Sequence, residues 1–226
     1  MISALIFDFD GVIADTERIH LAAFRQALAG FAGTAPGLPN LQLSNDEYYA
    51  KYLGFEDEGV FRLLGADRGV DIGDARVREL VAEKSKAYEA LVAQARSVIY
   101  PGAEACIRRF HGRLPLAIAS GAYAGEIRSV LGPAGLLPCF ETIVGCGDTP
   151  SGKPSPDPYE EAARRLNVDP RRCAAIEDSR WGIQSAVAAG MTCIAVTTNY
   201  AAHELPGAVI VVPSITDVTA KLIENL

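Results

Sequence analysis

Hydrophobic residues are grouped along the chain into short runs that are separated by segments with helical spacing. The runs of strand length are Ala4–Phe9, Leu116–Ala119, Thr142–Gly145, Ala174–Ile176, Thr192–Val196 and Val209–Val212. Runs that are apolar on both faces are typical of parallel strands covered by helices on two sides. From residue 103 onward, the segments with helical spacing are Ala103–Phe110, Ala124–Leu131, Asp157–Leu166, Gly182–Ala189 and Ile215–Ile223. This alternation predicts an α/β fold with a doubly wound, parallel, Rossmann-like sheet.

The segment between the first two strands contains helical patterns alone. The apolar stripes of its two longest helices are Leu21, Phe24 and Leu28, and then Val77, Leu80, Val81, Tyr88, Leu91 and Val92. A Pro/Gly-rich stretch at 35–40 separates the first helix from a short one over Phe55–Leu64, and Asp74 is placed to cap the long helix. Such a segment is far longer than an ordinary strand-to-strand crossover. We therefore predict an α/β core over 1–14 plus 97–226 and an inserted all-helical cap domain over 15–96.

Composition and charge narrow the class of protein. The chain has 226 residues, 49% of them hydrophobic, with no apolar run near the roughly 18 residues of a membrane span. The net charge of −7 gives no general attraction to nucleic acid or anionic membranes, so a negative substrate needs a local cluster of cations. Five cysteines without a CxxC pair indicate small buried residues in a reducing compartment. Without a recognisable secretory signal, we expect a cytoplasmic protein, and we expect a monomer.

Pairs of carboxylates follow two of the predicted strands. Asp8 and Asp10 end the first run, and alternation places them on the same side of an extended chain. Glu177 and Asp178 end the fourth run, and these four groups converge if the two strands are neighbours. A hard divalent cation with oxygen ligands, typically Mg²⁺, would make such a cluster tolerable. The alternative is that these residues only cap the following turns and helices.

Two further segments suggest an anion site. Ser120 and Gly121 follow the second run and precede a helix, where a hydroxyl and backbone N–H groups suit an anion. Gly11, after the first run, lets the backbone turn close to a ligand. Lys153 lies in a loop stiffened by prolines, which would hold its ammonium in place. The alternatives are a plain helix cap at Ser120 and a solvated loop lysine at Lys153.

Together these segments resemble the four motifs of the haloacid dehalogenase-like hydrolase superfamily. The motifs occur in order as Asp8-Phe9-Asp10-Gly11-Val12, Ala119-Ser120-Gly121, Lys153-Pro154 and Glu177-Asp178-Ser179. The position of the helical cap, together with Asp15-Thr16-Glu17 and Gly182, is similar to the branch of beta-phosphoglucomutase and the phosphosugar phosphatases. Any single motif is weak evidence, whereas the ordered set of four is specific.

The resemblance implies a chemistry for each motif. Asp8 would be the nucleophile that forms an aspartyl phosphate, and Asp10 would protonate the leaving alcohol and then activate water. Ser120 and Lys153 would hold the phosphate oxygens, with Gly11 and Gly121 contributing to substrate binding. The residues implied as Mg²⁺ ligands are Asp8, Asp10 through its carbonyl, Asp178 and Glu177. The expected partner is a small phosphorylated metabolite, either a sugar phosphate or a phosphoglycolate-like phosphate monoester. The second Asp favours phosphoryl transfer over dehalogenation.

The cap carries the residues expected to select the substrate. By resemblance, His20 and Lys84 are substrate-binding; the alternatives are a packed histidine and a lysine whose head stays in water. The mutases have a phosphate-gripping Arg where this chain has the acidic stretch 53–58, which favours hydrolysis over mutation. A phosphomutase remains the alternative if Arg62 or Lys51 replaces that Arg. A non-catalytic binding module is disfavoured because Asp8 and Asp10 are both present.

Overall fold

The computed structural model describes residues 1–32, 41–53, 55–95 and 97–226. The chain divides into two compact units, one made of Met1–Asp15 and Ser97–Leu226 and the other of Thr16–Arg96. The predicted boundary after residue 14 lies one residue before the observed boundary after Asp15. The predicted chain break at 35–40 lies outside the described residues.

The first unit is built on a six-stranded sheet in which every neighbouring pair is parallel. Its strands are β1 (Ala4–Phe7), β2 (Leu116–Ala119), β3 (Thr142–Val144), β4 (Cys173–Glu177), β5 (Thr192–Val196) and β6 (Ile210–Val212). Their order across the sheet is β3-β2-β1-β4-β5-β6, so β1 lies between β2 and β4. The predicted α/β fold with a doubly wound parallel sheet is confirmed.

Helices cover this sheet because its strands are apolar on both faces. The helices of the first unit are α5 (Ala103–Phe110), α6 (Ala124–Leu131), α7 (Asp157–Leu166), α8 (Arg180–Ala188) and α9 (Ala220–Glu224). On one face, Ala4 and Ile6 pack in a buried cluster with side chains of α7 and α8. Leu5 and Phe7 point the other way by alternation and are also fully buried. Burial on both faces explains why the runs are continuous rather than alternating.

The strand order reverses at β1, and this reversal indicates where a ligand would bind. From β1 the chain first adds β2 and β3 on one side, and later β4, β5 and β6 on the other. In open parallel sheets, ligands bind beyond the carboxyl ends of the strands at such a reversal. Asp8, Ser120 and Asp178 each directly follow the last residue of one of three adjacent strands, β1, β2 and β4.

The second unit is helical and has its own core. Its helices are α1 (Glu17–Ala32), α2 (Asn45–Glu47) continuing as a wider turn over Tyr48–Tyr52, α3 (Asp57–Asp67) and α4 (Asp74–Gln94). The buried cluster that joins them includes Leu21, Phe24, Phe61, Val77 and Leu80. Of these, Leu21, Phe24, Val77 and Leu80 belong to the predicted apolar stripes, so those parts of the stripes mark faces along which the helices pack.

Two local predictions were wrong. Asp74 does not cap α4: Gly73 occupies the cap position, and the Asp74 carboxylate instead pairs with Arg62 at 2.9 Å. The helix predicted over Ile215–Ile223 is split into a short 3-10 turn, Ile215–Asp217, and α9. Thr219 causes the split, because its hydroxyl accepts a hydrogen bond from the N–H of Leu222 and starts a new helix.

None of the helices in the described ranges combines the length and the apolar character that crossing a bilayer requires.

Candidate active site

Asp8 is held at the carboxyl edge of the sheet by the strand pairing itself. Its backbone N–H donates to the carbonyl of Ile176 in β4 at 2.9 Å, which continues the ladder one residue beyond β1. Asp8 as a whole is only 7% exposed. A carboxylate in this position is fixed by backbone on one side and faces the crevice where the strand order reverses.

Lys153 joins two of the predicted carboxylates. Its ammonium nitrogen lies 2.8 Å from Asp8 Oδ1 and 2.6 Å from Glu177 Oε1. The lysine comes from the loop before α7, yet its side chain is only 11% exposed. The alternative of a solvated loop lysine is therefore wrong. One cation shared by two carboxylates brings the first, third and fourth motifs into contact.

Glu177 accepts hydrogen bonds from five donors. Oε1 accepts from Lys153 and from the Tyr159 hydroxyl at 2.7 Å. Oε2 accepts from the backbone N–H of Asp178, and from the N–H and hydroxyl of Ser179, at 3.1 to 3.3 Å. Its side chain is completely buried. A buried carboxylate requires such donors because it has lost its water.

Ser179 also caps the start of α8. Its hydroxyl oxygen accepts a hydrogen bond from the N–H of Gly182 at 3.0 Å. Gly182 is required for a separate reason, since a Cβ built there would lie 1.8 Å from Glu177 Oε1. The start of α8 therefore comes closer to the Glu177 carboxylate than any residue with a side chain would allow.

Asp178 is buried at the end of β4 and contacts a loop that follows β5. The Asn199 amide nitrogen donates to Asp178 Oδ2 at 2.7 Å. Gly11 lies beside both groups with φ +81°, and a Cβ there would lie 2.1 Å from that same oxygen. Gly11 is therefore required by close packing as well as by its backbone conformation.

Ser120 follows β2 and is 4% exposed. Its N–H donates to the carbonyl of Val144 at 3.0 Å, and its hydroxyl oxygen accepts from the N–H of Ala122 at 3.1 Å. Gly121 is exposed, and a Cβ there would meet no atom within 4 Å. Space does not require glycine at this position, and the substrate-binding roles of Gly121 and Ser120 stay predictions.

Burial and neighbouring charges shift the pKa values in the cluster. Burial, and next the charge of Glu177, raise the pKa of Asp8 to about 8, although Lys153 acts in the opposite direction. For Lys153, burial lowers the pKa but the carboxylates of Asp8 and Glu177 outweigh it, so its pKa lies above its ordinary value. Burial and then Glu177 raise the pKa of Tyr159 well above its ordinary value. Negative charge is thus in excess over the single lysine.

Three of the four predicted metal ligands converge. Asp8, Glu177 and Asp178 each offer a carboxylate oxygen, and these oxygens lie within 4.8 Å of one another. An all-oxygen, buried, negatively charged set fits a hard divalent cation such as Mg²⁺. Asp10 is half-buried, and its predicted ligand is a backbone carbonyl rather than the side chain. Its role as ligand and as acid–base stays a prediction.

The two substrate-binding residues predicted in the helical unit contact each other. Lys84 Nζ lies 2.8 Å from His20 Nδ1 and 2.9 Å from Asp57 Oδ2, and 5.2 Å from the ring centres of Phe24 and Tyr88. The Lys84 side chain is fully buried, so the alternative of a lysine with its head in water is wrong. The roles of His20 and Lys84 in substrate binding stay predictions.

Three residues of these clusters were not found from the sequence. Tyr159 is one of eight tyrosines and lies on an ordinary amphipathic helix, so no pattern distinguished it. In the sequence, Asp57 is one member of an acidic stretch, and its pairing with Lys84 depends on tertiary packing. Asn199 could have been found, because it follows β5 at the same edge of the sheet as the four motifs.

A family model, related sequences and a solved structure all indicate the same protein family. A model of the haloacid dehalogenase-like hydrolases matches residues 2–190. The chain is 29% identical over 192 residues to fructose-1-phosphate phosphatase YqaB of Escherichia coli, covering 85% of this chain and 95% of that protein. It is 32% identical over 207 residues to protein CbbY of Rhodobacter capsulatus, covering 88% and 87%.

A solved structure is similar over the full length. CbbY from Rhodobacter sphaeroides, in complex with phosphate, has a TM-score of 0.89 and 26% identity, covering 100% of both chains. The predicted resemblance is thus confirmed by both sequence and fold. The chain belongs to the haloacid dehalogenase-like hydrolases.

Proposed function

We propose that this chain is a Mg²⁺-dependent phosphatase that hydrolyses a small phosphate monoester through an aspartyl phosphate on Asp8. The observation that carries the proposal is the position of the Asp8 carboxylate. It lies at the carboxyl edge of the sheet, in contact with Lys153 and within 4.8 Å of ligand oxygens of Glu177 and Asp178. A nucleophile, a cation and two further carboxylates at one point fit displacement at phosphorus.

The reaction has two displacements. In the first, an Asp8 carboxylate oxygen bonds to phosphorus, the bond from phosphorus to the ester oxygen breaks, and Asp10 gives its proton to the leaving alkoxide. In the second, water attacks phosphorus, Asp10 takes its proton, and the bond to Asp8 breaks to release phosphate. Lys153 and Ser120 hold the phosphoryl oxygens, where negative charge spreads in both transition states.

The carboxylates of Asp8 and Asp178 and the carbonyl of Asp10 would hold the metal ion, with Glu177 available beside them. A bound Mg²⁺ supplies positive charge that reduces the repulsion between the Asp8 carboxylate and the phosphate. Lys153 acts in the same direction, because its ammonium favours the ionised form of Asp8, which is the form that attacks.

Charge in the helical unit supports hydrolysis over a phosphomutase. A mutase must hold a second phosphate, and Arg62 and Lys51 were the candidates for that task. Arg62 pairs with Asp74 and Glu58, and Lys51 pairs with Asp67 at 2.9 Å. Lys84 pairs with Asp57 in the acidic stretch. These carboxylates neutralise the positive charges that would otherwise bind a distal phosphate.

A sugar phosphate is the substrate class that we propose. YqaB is named for fructose 1-phosphate, and the CbbY structure holds phosphate. We also propose that the protein is cytoplasmic, which is supported by cysteines that are mostly buried and form no disulfide. We further propose that it is a monomer. Size-exclusion chromatography with light scattering measures the oligomeric state.

The experiment is a panel of phosphorylated metabolites assayed for phosphate release with and without Mg²⁺. We expect Mg²⁺-dependent release from one or more sugar phosphates. We also expect a loss of at least about 10⁴-fold in Asp8→Asn, which keeps the shape but replaces the nucleophilic carboxylate with a neutral amide. Undiminished release by Asp8→Asn would refute the mechanism. Incubation with a hexose 1-phosphate and a catalytic hexose bisphosphate distinguishes a phosphatase from a phosphomutase. Free phosphate indicates a phosphatase, and accumulation of the 6-phosphate indicates a mutase.

A further inference from the structure

Asn199 makes a direct contact with the candidate metal ligand Asp178. It lies three residues beyond the end of β5, in an exposed part of the chain, whereas Asp178 is 3% exposed. The distance from Asn199 Nδ2 to Asp178 Oδ2 is 2.7 Å. Because an ionised carboxylate only accepts hydrogen bonds, the amide must present its nitrogen here.

Three strand ends meet at this hydrogen bond. Asp178 follows β4, Asn199 follows β5, and Gly11 lies in the turn after β1. A Cβ on Gly11 would lie 2.1 Å from Asp178 Oδ2 and 2.7 Å from Asn199 Nδ2. The bond therefore lies in a space that is open only because residue 11 has no side chain.

We propose that Asn199 is a positioning residue that orients the Asp178 carboxylate for magnesium; this inference rests on the proposed function. A hydrogen bond to one carboxylate oxygen restricts rotation of the group and so determines where the other oxygen points. Residues that hold a metal ligand in this way commonly change metal affinity by 10- to 100-fold when they are removed. In this proposal Asn199 contacts the metal ligand Asp178 and does not itself contact the substrate.

A purely structural role predicts a different result. If Asn199 only anchors the loop after β5, its removal lowers the stability of the metal-free protein and leaves metal affinity unchanged. If it orients Asp178, its removal weakens Mg²⁺ binding, while kcat at saturating Mg²⁺ stays within a few-fold of wild type. Metal affinity and metal-free stability therefore separate the two roles.

The test compares Asn199→Ala and Asn199→Ser with the control Thr198→Ala, which changes the neighbouring exposed residue of the same loop. Mg²⁺ binding to the metal-free, full-length chain is measured by isothermal titration calorimetry without substrate, together with the rise in Tm on adding Mg²⁺. We expect the dissociation constant for Mg²⁺ to rise about 10-fold or more in both Asn199 variants and to stay unchanged in Thr198→Ala. The Tm rise on adding Mg²⁺ shrinks accordingly.

The possible failures are distinguishable. Wild-type affinity for Mg²⁺ in both Asn199 variants overturns this proposal and leaves the proposed phosphatase intact. A wild-type chain that neither binds Mg²⁺ nor releases phosphate in its presence overturns both. Asn199→Ser keeps a small polar side chain in the loop, so it supplies the affinity measurement if Asn199→Ala does not fold.

Discussion

Lys153 and Glu177 form a buried ion pair of 2.6 Å, and the same ammonium reaches Asp8 at 2.8 Å. The lysine therefore stabilises the arrangement of carboxylates, and in the proposed mechanism it also holds phosphoryl oxygens. Its two tasks can be separated by experiment, because one concerns the metal-free protein and the other concerns turnover.

Replacing Lys153 with Met keeps most of the apolar side chain and removes the charge. We expect kcat/KM to fall by about 10²- to 10³-fold, as is typical when a group that stabilises transition-state charge is lost. We also expect the free energy of unfolding of the metal-free protein to fall by about 3 kcal/mol, since buried carboxylates lose their partner. Steady-state kinetics and urea denaturation in EDTA measure the two effects. Unchanged stability would show that the ion pair is not formed in the folded protein.

Asp8→Asn gives a prediction for stability as a function of pH. The pKa of Asp8 is about 8 in the folded chain against an ordinary value of 3.8, so the folded state binds the proton more tightly than the unfolded state. Ionisation of Asp8 therefore lowers the stability of the wild-type protein in EDTA as pH rises from about 4 to about 8. Asn carries no such charge, so the variant's Tm should fall less over this range. Parallel Tm curves for the two proteins would contradict the shift.

Tyr159→Phe removes one hydroxyl and leaves the ring in place. That hydroxyl donates to Glu177 Oε1 at 2.7 Å, and the ring centre lies 5.1 Å from the Lys153 ammonium. A hydrogen bond to a charged group contributes about 1.5–3 kcal/mol, so we expect a loss of stability of that order. Urea denaturation in EDTA measures it. A Tyr159→Phe variant as stable as wild type would contradict a stabilising hydrogen bond from the Tyr159 hydroxyl to Glu177.

Asp57 and Lys84 are suited to a double-mutant cycle in the helical unit. Their side chains are 10% and 0% exposed, so removing either one leaves a buried charge without its ion-pair partner. We expect Asp57→Leu and Lys84→Met each to lower the free energy of unfolding by about 3 kcal/mol. The double variant should lose about 1–3 kcal/mol less than the sum. Additive losses would mean that the two residues do not interact.

Lys84→Ala also tests the predicted role of this residue in substrate binding. If Lys84 contacts substrate, KM rises by different factors for different phosphate esters, because the esters differ in the groups that a lysine can reach. Steady-state kinetics on the metabolite panel measures those factors. The same fractional change for every ester, together with lowered stability, would assign Lys84 to structure alone.

The cysteines should differ in reactivity. Burial raises the pKa of Cys106 and of Cys173 to about 11 in each case, and burial followed by the charge of Glu177 raises that of Cys193 above its usual range. Thiolate is the reactive form, so these three should resist iodoacetamide at pH 8. Cys146 is partly exposed and should react first. Mass spectrometry of the adducts measures this, with Cys146→Ser and the urea-unfolded protein as controls. Early labelling of Cys193 would contradict its burial.

The α/β fold and its strands were predictable because their signals are local and strong. Strands buried on both faces give uninterrupted apolar runs, and Asp8 and Asp178 follow such runs directly. The alternation of strands and helices then fixes which ends of the strands lie at the same edge. Convergence of the acidic motifs follows once β1 and β4 are neighbours, as they are.

The partners of the site residues were not predictable, because they depend on side-chain packing between distant elements. Tyr159 looks like any apolar residue of α7 until its hydroxyl meets Glu177. Lys84 falls within an apolar stripe, where its charge suggests a head in water unless a buried carboxylate such as Asp57 lies opposite. The helix predicted over Ile215–Ile223 failed for a local reason, since the capping preference of Thr219 overrides the apolar spacing.

The missing side chain at Gly182 has a consequence for descent within the family. The Glu177 carboxylate occupies the volume that a Cβ at residue 182 would fill. A lineage that gained even an alanine there would have to move or lose the acid, and the lysine held by that acid would then be released. Residues 153, 177 and 182 should therefore change together in homologues. A glycine at position 182 then indicates that the ion pair between Lys153 and Glu177 is retained.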